Sequence, residues 1–112
     1  LPRIIFDFLD SFYPGNARVS IRLLKEIVKR EPPEFVFALL SKHLRDLYWV
    51  KEGNSIPYPS WRVGKLKKQS EKFEKEQIKK LINYLADLDI KVKTSEAELS
   101  SSLDLVIVSL LE

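Results

Sequence analysis

Few residues in this chain have the types and spacing to do chemistry. Its three glycines, Gly15, Gly53 and Gly64, stand apart and no Gly-Lys-Ser/Thr run exists, so a phosphate-cradling loop is not expected. One histidine and no cysteine leave little for a metal site, a disulfide or a Cys–His nucleophile. A Ser-His-Asp set would need His43 at a cleft edge, yet His43 falls inside an apolar helical stripe and reads as a core residue. The carboxylate pairs Asp87/Asp89 and Glu96/Glu98 sit among lysines and read as surface charge balance. No catalytic role, metal or cofactor is therefore expected.

Binding chemistry is better represented. The net charge is only +3, but residues 62–80 hold eight Lys or Arg against three Glu, a local charge of +5. A solvated Lys/Glu helical surface explains most of such a run. Within it Arg62, Lys65, Lys67, Lys68 and Lys72 are the candidates for touching a nucleic-acid backbone. Just upstream, Tyr48 and Trp49 end an apolar segment, and Tyr58 and Trp61 bracket a proline-rich loop. These four rings either pack the loop onto the core or anchor a partner protein.

The elements that must position these residues follow from periodicity. With 45% apolar and 31% charged residues, 112 residues suit one folded domain with one core rather than a disordered tail. No apolar run is long enough to span a bilayer, and Asp7 and Asp10 interrupt the N-terminal one, so a cytoplasmic location is expected. No methionine occurs, even at position 1, which suggests a segment cut from a longer chain.

Ile5, Phe8, Leu9 and Phe12 have helical spacing up to Pro14 and Gly15. Asn16 offers an N-cap for a second helix over Ala17 to Arg30, carried by Val19, Ile21, Leu23, Leu24, Ile27 and Val28. Pro33 opens a third and central helix with Val36, Leu40, His43, Leu47 and Val50 in one stripe. Glu52 to Pro59 is a loop, Ser60 a candidate cap for a fourth helix, and Lys75 the start of a fifth.

The stretch "LADLDIKVKT" alternates like a strand from Asp87 to Lys93. Over a longer window, however, Ile78, Leu81, Ile82, Leu85, Leu88 and Val92 keep three-four spacing, so a helix is expected. Asp87 then faces Lys91, and Asp89 forms a structural ion pair with Lys93. Asp89 projects about 20° from Ile78, inside the apolar stripe, whereas Ile90 points away from it and becomes a candidate partner contact. Ser95 and Glu98 have capping-box spacing ahead of a last helix on Leu99, Leu103, Val106, Ile107 and Leu110. The expected fold is all-α, a compact bundle of five to six helices.

Taken in order, these segments resemble the C-terminal domain of the delta subunit of bacterial DNA polymerase III, part of the clamp loader. The resemblance rests on "IFDFLDSFYPGN", "EPPEFVFALLSKHLRDLYWVK", "PSWRVGKLKKQSEKF" and "LADLDIKVKT", the last with Asp89, Lys93 and Thr94 at the positions of the family's acid-to-Lys-Thr signature. The Glu52–Pro59 loop is shorter than the family's usual connection. The resemblance implies a collar-type oligomerisation domain spanning residues 1–112, without ATP hydrolysis. It implies partners among the gamma/tau and delta-prime subunits, met through their C-terminal domains; the basic stretch from Lys65 to Lys80 adds an expected weak, salt-sensitive contact with primed DNA. Tyr48, Trp49, Tyr58, Trp61 and Ile90 are the candidate partner-facing residues. A free-standing helical DNA-binding module is the alternative, although the basic helix offers mostly Lys, which holds phosphates without reading bases.

Overall fold

The computed structural model describes residues 1–109. Among them six helices succeed one another and no strand forms: α1 (Arg3–Ser11), α2 (Ala17–Ile27), α3 (Pro33–Lys51), α4 (Ser60–Ser70), α5 (Lys75–Lys93) and α6 (Leu99–Val108). The helical period thus prevails over the short alternation in "LADLDIKVK", all of which lies in α5. Leu110, expected to extend the last helix, lies outside the described residues.

Boundary chemistry departs from the sequence expectation at several ends. Ser60 is the first residue of α4 rather than its cap, because Pro59 makes the extended turn into the helix with ψ 149°. Asn16 precedes α2 but caps nothing; its amide donates to Ser11 O at 2.8 Å. The second helix ends at Ile27, not Arg30, since the amides of Arg30 and Glu31 both return to Ile27 O.

The Ser95–Glu98 box does not form. Ser95 closes α5 instead: at φ 61° it lets the Glu96 amide reach Lys91 O at 2.7 Å while its own amide reaches Val92 O at 3.2 Å, the double wrap of a left-handed C-terminal cap. Glu98 becomes the N-cap of α6. A capping box does occur at the start of α5, between Glu74 and Gln77.

Helix α3 is the spine, packed by α4, α5 and α6. Val36, Leu40, His43, Leu44, Leu47 and Val50 are all buried there, as the stripe predicts. Helix α5 runs antiparallel to it, since Lys75 at its start pairs with Glu52 just past the end of α3 at 3.0 Å. Ile5, Phe8, Leu9 and Phe12 bury the inner face of α1, which packs on α2. On α2 the small residues Ala17 and Ser20 join Leu24 and Ile27 inside, while Val28 stays 39% exposed.

A buried polar bridge ties α1, α3 and α4 together. The last carbonyls of α1 have no partner within the helix. The Gln69 amide on α4 donates to Leu9 O and Phe12 O, both at 2.8 Å, and Ser20 Oγ and Asn16 Nδ2 meet Ser11 O. With its NH2 group committed to two carbonyls, Gln69 can only accept at Oε1, so His43 Nε2, 2.9 Å away, must donate. His43 is thereby neutral with its proton on Nε2, and burial lowers its pKa below the ordinary 6.5 against the raising effect of that bond.

Three outcomes follow from this architecture. Replacing Gln69 by Leu strands the Phe12 carbonyl and an imidazole N–H and leaves Leu9 O only the Phe12 amide at 3.4 Å, lowering stability by about 2–5 kcal/mol in urea titration. Because the folded pKa of His43 lies below the unfolded one, stability is full above pH 6.5 and declines as pH falls below it; a His43→Gln chain shows a flatter profile between pH 7 and 5. Ser95→Gly relieves the left-handed side chain and raises stability by about 0.5–1 kcal/mol in thermal melts.

Candidate functional site

Two depressions mark the surface of the bundle. The larger, about 750 Å³, runs between α3 and α5, with Leu99 of α6 closing one end. Mostly apolar side chains form its walls: Phe37, Ala38 and Ser41 from α3, Ile82, Leu85, Ala86 and Val92 from α5. Ala38 and Ala86 leave the space that bulkier residues would fill, and the buried Ser41 Oγ has no hydrogen-bond partner. Charge is confined to the rim, at Glu34, Arg45, Asp89 and Lys93.

Asp89 and Lys93 neutralise one another at 2.9 Å, as the sequence predicts. Asp89 is not enclosed, though: its side chain is 46% exposed at the groove edge. Burial on α5 centres on Ile78, Leu85 and Leu88, rotated about 50° away from it. No Asp87–Lys91 pair closes among the described residues, leaving Asp89–Lys93 as the ion pair of that turn. Ile90 is 62% exposed on α5, one turn beyond Ala86 and outside the groove's lining.

The four aromatic residues each have separate partners rather than forming one cluster. Tyr48 stands beside Glu52, whose carboxylate raises the phenol's pKa; Glu52 itself is lowered first by its hydrogen bond to Lys75. Trp49 donates Nε1–H to Ser55 O at 2.8 Å, pinning the loop, yet remains 53% exposed. Tyr58 donates to Asp46 at 2.8 Å and bonds Lys42, which raises the lysine's pKa. Trp61 is the most open of the four at 65% exposure and borders the second cleft.

The basic residues divide in the same way. Arg62 lies against the Tyr58 ring at 4.5 Å and near Phe6 at 6.0 Å. Lys65 is 3.6 Å from Asp10, and Lys72 caps the Tyr13 ring at 3.8 Å. Lys67 and Lys68 are exposed on α4 and enter no ion pair among the described residues. Three of the five backbone-contact candidates therefore do internal work as well.

The second cleft, about 270 Å³, lies between α1, α3 and α4. Phe6 and Trp61 stand at its walls, Arg3, Asp7, Asp10 and Lys65 at its rim, and His43 in its floor. Sequence reasoning missed the groove-forming Ala38, Ser41 and Ala86 and the bridging Gln69. Small residues on the outer faces of two long helices, and a lone amide between Leu66 and Ser70, were the available signals.

A family model for the C-terminal domain of the DNA polymerase III delta subunit matches residues 3–110. No curated protein and no solved structure matches the chain.

Proposed function

The chain belongs to the family formed by the C-terminal domain of the DNA polymerase III delta subunit, a clamp-loader family, and on that premise we propose that residues 1–112 act as one collar-type oligomerisation domain. In this reading the domain carries no chemistry. It joins the gamma/tau and delta-prime subunits through their C-terminal domains in the ring that loads the sliding clamp. The observation that carries it is the α3–α5 groove, with the exposed Ile90 one turn beyond Ala86 on the same helix.

A groove of this length between two antiparallel helices is shaped for a third helix from a neighbour, whose apolar side chains would lie over Ala38, Ala86 and Ile82. Glu34 and Arg45 lie three turns apart on α3 and enter no ion pair among the described residues, so a neighbour with complementary charges at its two ends would be oriented by them. Tyr48, Trp49, Tyr58 and Trp61 would extend the contact around the loop end of the bundle. Lys67 and Lys68, exposed and in no ion pair among the described residues, support weak, salt-sensitive contact with primed DNA.

Mixed at micromolar concentration, this chain and the C-terminal domains of the other clamp-loader proteins co-elute in size-exclusion chromatography. Ala86→Arg and Ile90→Glu each weaken the complex by about tenfold or more while leaving the thermal melt of the isolated chain within about 0.5 kcal/mol. Separate elution of the unmodified chains, or a sequence-specific gel shift by this chain alone, would replace assembly by the DNA-binding alternative.

A further inference from the structure

Helix α2 and the turn after it carry a second concentration of positive charge. Residues 17–30 hold Arg18, Arg22, Lys25, Lys29 and Arg30 against Glu26 alone, a local charge of +4. Everything outside this stretch and residues 62–80 sums to −6, so the patch is not part of a uniformly basic surface. At about 100° per residue, Arg18, Arg22 and Lys25 fall within a sector of about 60°, one cation per turn, and Lys29 follows just past the helix end. All four are exposed, on the far side of the helix from the buried Ala17, Ser20, Leu24 and Ile27.

The fold leaves this charge unused. Arg18, Arg22 and Lys25 enter no ion pair among the described residues, and of the four only Lys29 is held, by Glu26 at 2.9 Å. The cations of α4, by contrast, are drawn onto Tyr58, Tyr13 and Asp10. No α2 residue lines the α3–α5 groove or the second cleft, since α2 packs on α1 and α6. The stripe is thus a surface separate from both.

Its edge indicates the kind of polyanion it fits. Ile21, half-buried, and Val28, 39% exposed, lie two turns apart along one side of the stripe and form an apolar seam. No aromatic, Asn or Gln side chain stands among the exposed residues of this stretch to stack on a base or read its edge. Apolar seam and cation row together match a protein helix that is acidic on one face and aliphatic beside it.

We propose that the outer face of α2 docks an acidic amphipathic helix of a partner protein, its carboxylates at the spacing of Arg18, Arg22 and Lys25 and its aliphatic side chains on Ile21 and Val28. The two guanidinium groups can each take a carboxylate bidentately. Complementary rows of charge fix orientation and register more than they add affinity. Exposed pairs are individually weak and Glu26 opposes the incoming acids, so the contact is salt-sensitive and readily reversed. This reading draws on α2 alone: loss of the complex with the other clamp-loader proteins leaves it standing, and its own failure leaves assembly standing.

The probe is a labelled, hydrocarbon-stapled peptide helix of about four turns, with glutamates at the stripe's spacing and leucines along one flank. Titrated with the chain at low salt, it binds and moves amide resonances centred on residues 18–29. An isomer with the same residues shuffled, so that its glutamates scatter around the helix, binds roughly tenfold or more weakly. An Arg18→Glu/Arg22→Glu chain loses a similar factor for the ordered peptide, while its thermal melt and its elution with the clamp-loader proteins match those of the unmodified chain. Glu26→Gln removes the opposing carboxylate, frees Lys29 and tightens binding about two- to fivefold. Equal binding of the two isomers, a comparison that needs no variant to fold, would reduce the stripe to diffuse attraction and overturn the site. Displacement of the peptide by oligothymidylate of equal charge would make the face a nucleic-acid surface and overturn it too, as would resonance changes centred on another helix.

Discussion

The Gln69 side chain holds the bundle in its present shape. It lies 6% exposed among Leu9, Phe12 and His43, where an amide without partners would cost several kcal/mol. All of its bonding atoms are instead engaged, closing the frayed end of α1 and fixing the tautomer of a histidine on α3. Three helices distant in sequence are thereby held in one register, and the apolar contacts among Phe8, Phe12, Leu40, Leu44 and Leu66 pack around that register. Apolar surface alone would tolerate many rotations of α1; two carbonyls aimed at one NH2 group tolerate few.

That register decides what remains outside. Helix α3 spends its inner face on the core and has only Phe37, Ala38 and Ser41 to show toward α5 on the outer side, while α5 answers with Ile82 and Ala86. Where Ala38, Ser41 and Ala86 stand among larger neighbours on these two packed helices, no side chain fills the space above them, and a groove is left. At the other end, the same placement of α1 against α4 sets Phe6 beside Trp61 with the histidine ring beneath. Groove and cleft are thus two consequences of one packing arrangement, each with a polar atom, Ser41 Oγ or His43 Nδ1, that finds no partner within the described residues.

The electrostatics follow the same logic. The excess of positive charge in residues 62–80 is real in sequence, but the fold draws part of it inward, through Arg62 on aromatic rings, Lys72 on Tyr13 and Lys65 toward Asp10. What faces solvent unpaired is a shorter stripe than the count of lysines implies. Exposed pairs of this sort contribute little to stability and mainly shape the surface field.

By itself the sequence determined the helical class, the central helix and its buried stripe, and the outward placement of Ile90, because the three-four period of apolar residues is a local property that survives in any packing. It also identified the family through the order of its segments. Tertiary structure decided the rest. Ser95 and Ser60 have the composition of N-caps but not that role: Ser95 closes the end of α5 instead, and Pro59 makes the turn into α4 ahead of Ser60. Asp89 has the angle of a core residue, yet the packed face of α5 is rotated away from it. The carbonyl partners of Gln69 lie 60 and 57 residues upstream and its histidine partner 26, distances at which no spacing rule operates. A groove or a cleft is a relation between helices, and the angle at which two helices meet is set by whole surfaces rather than by either sequence alone.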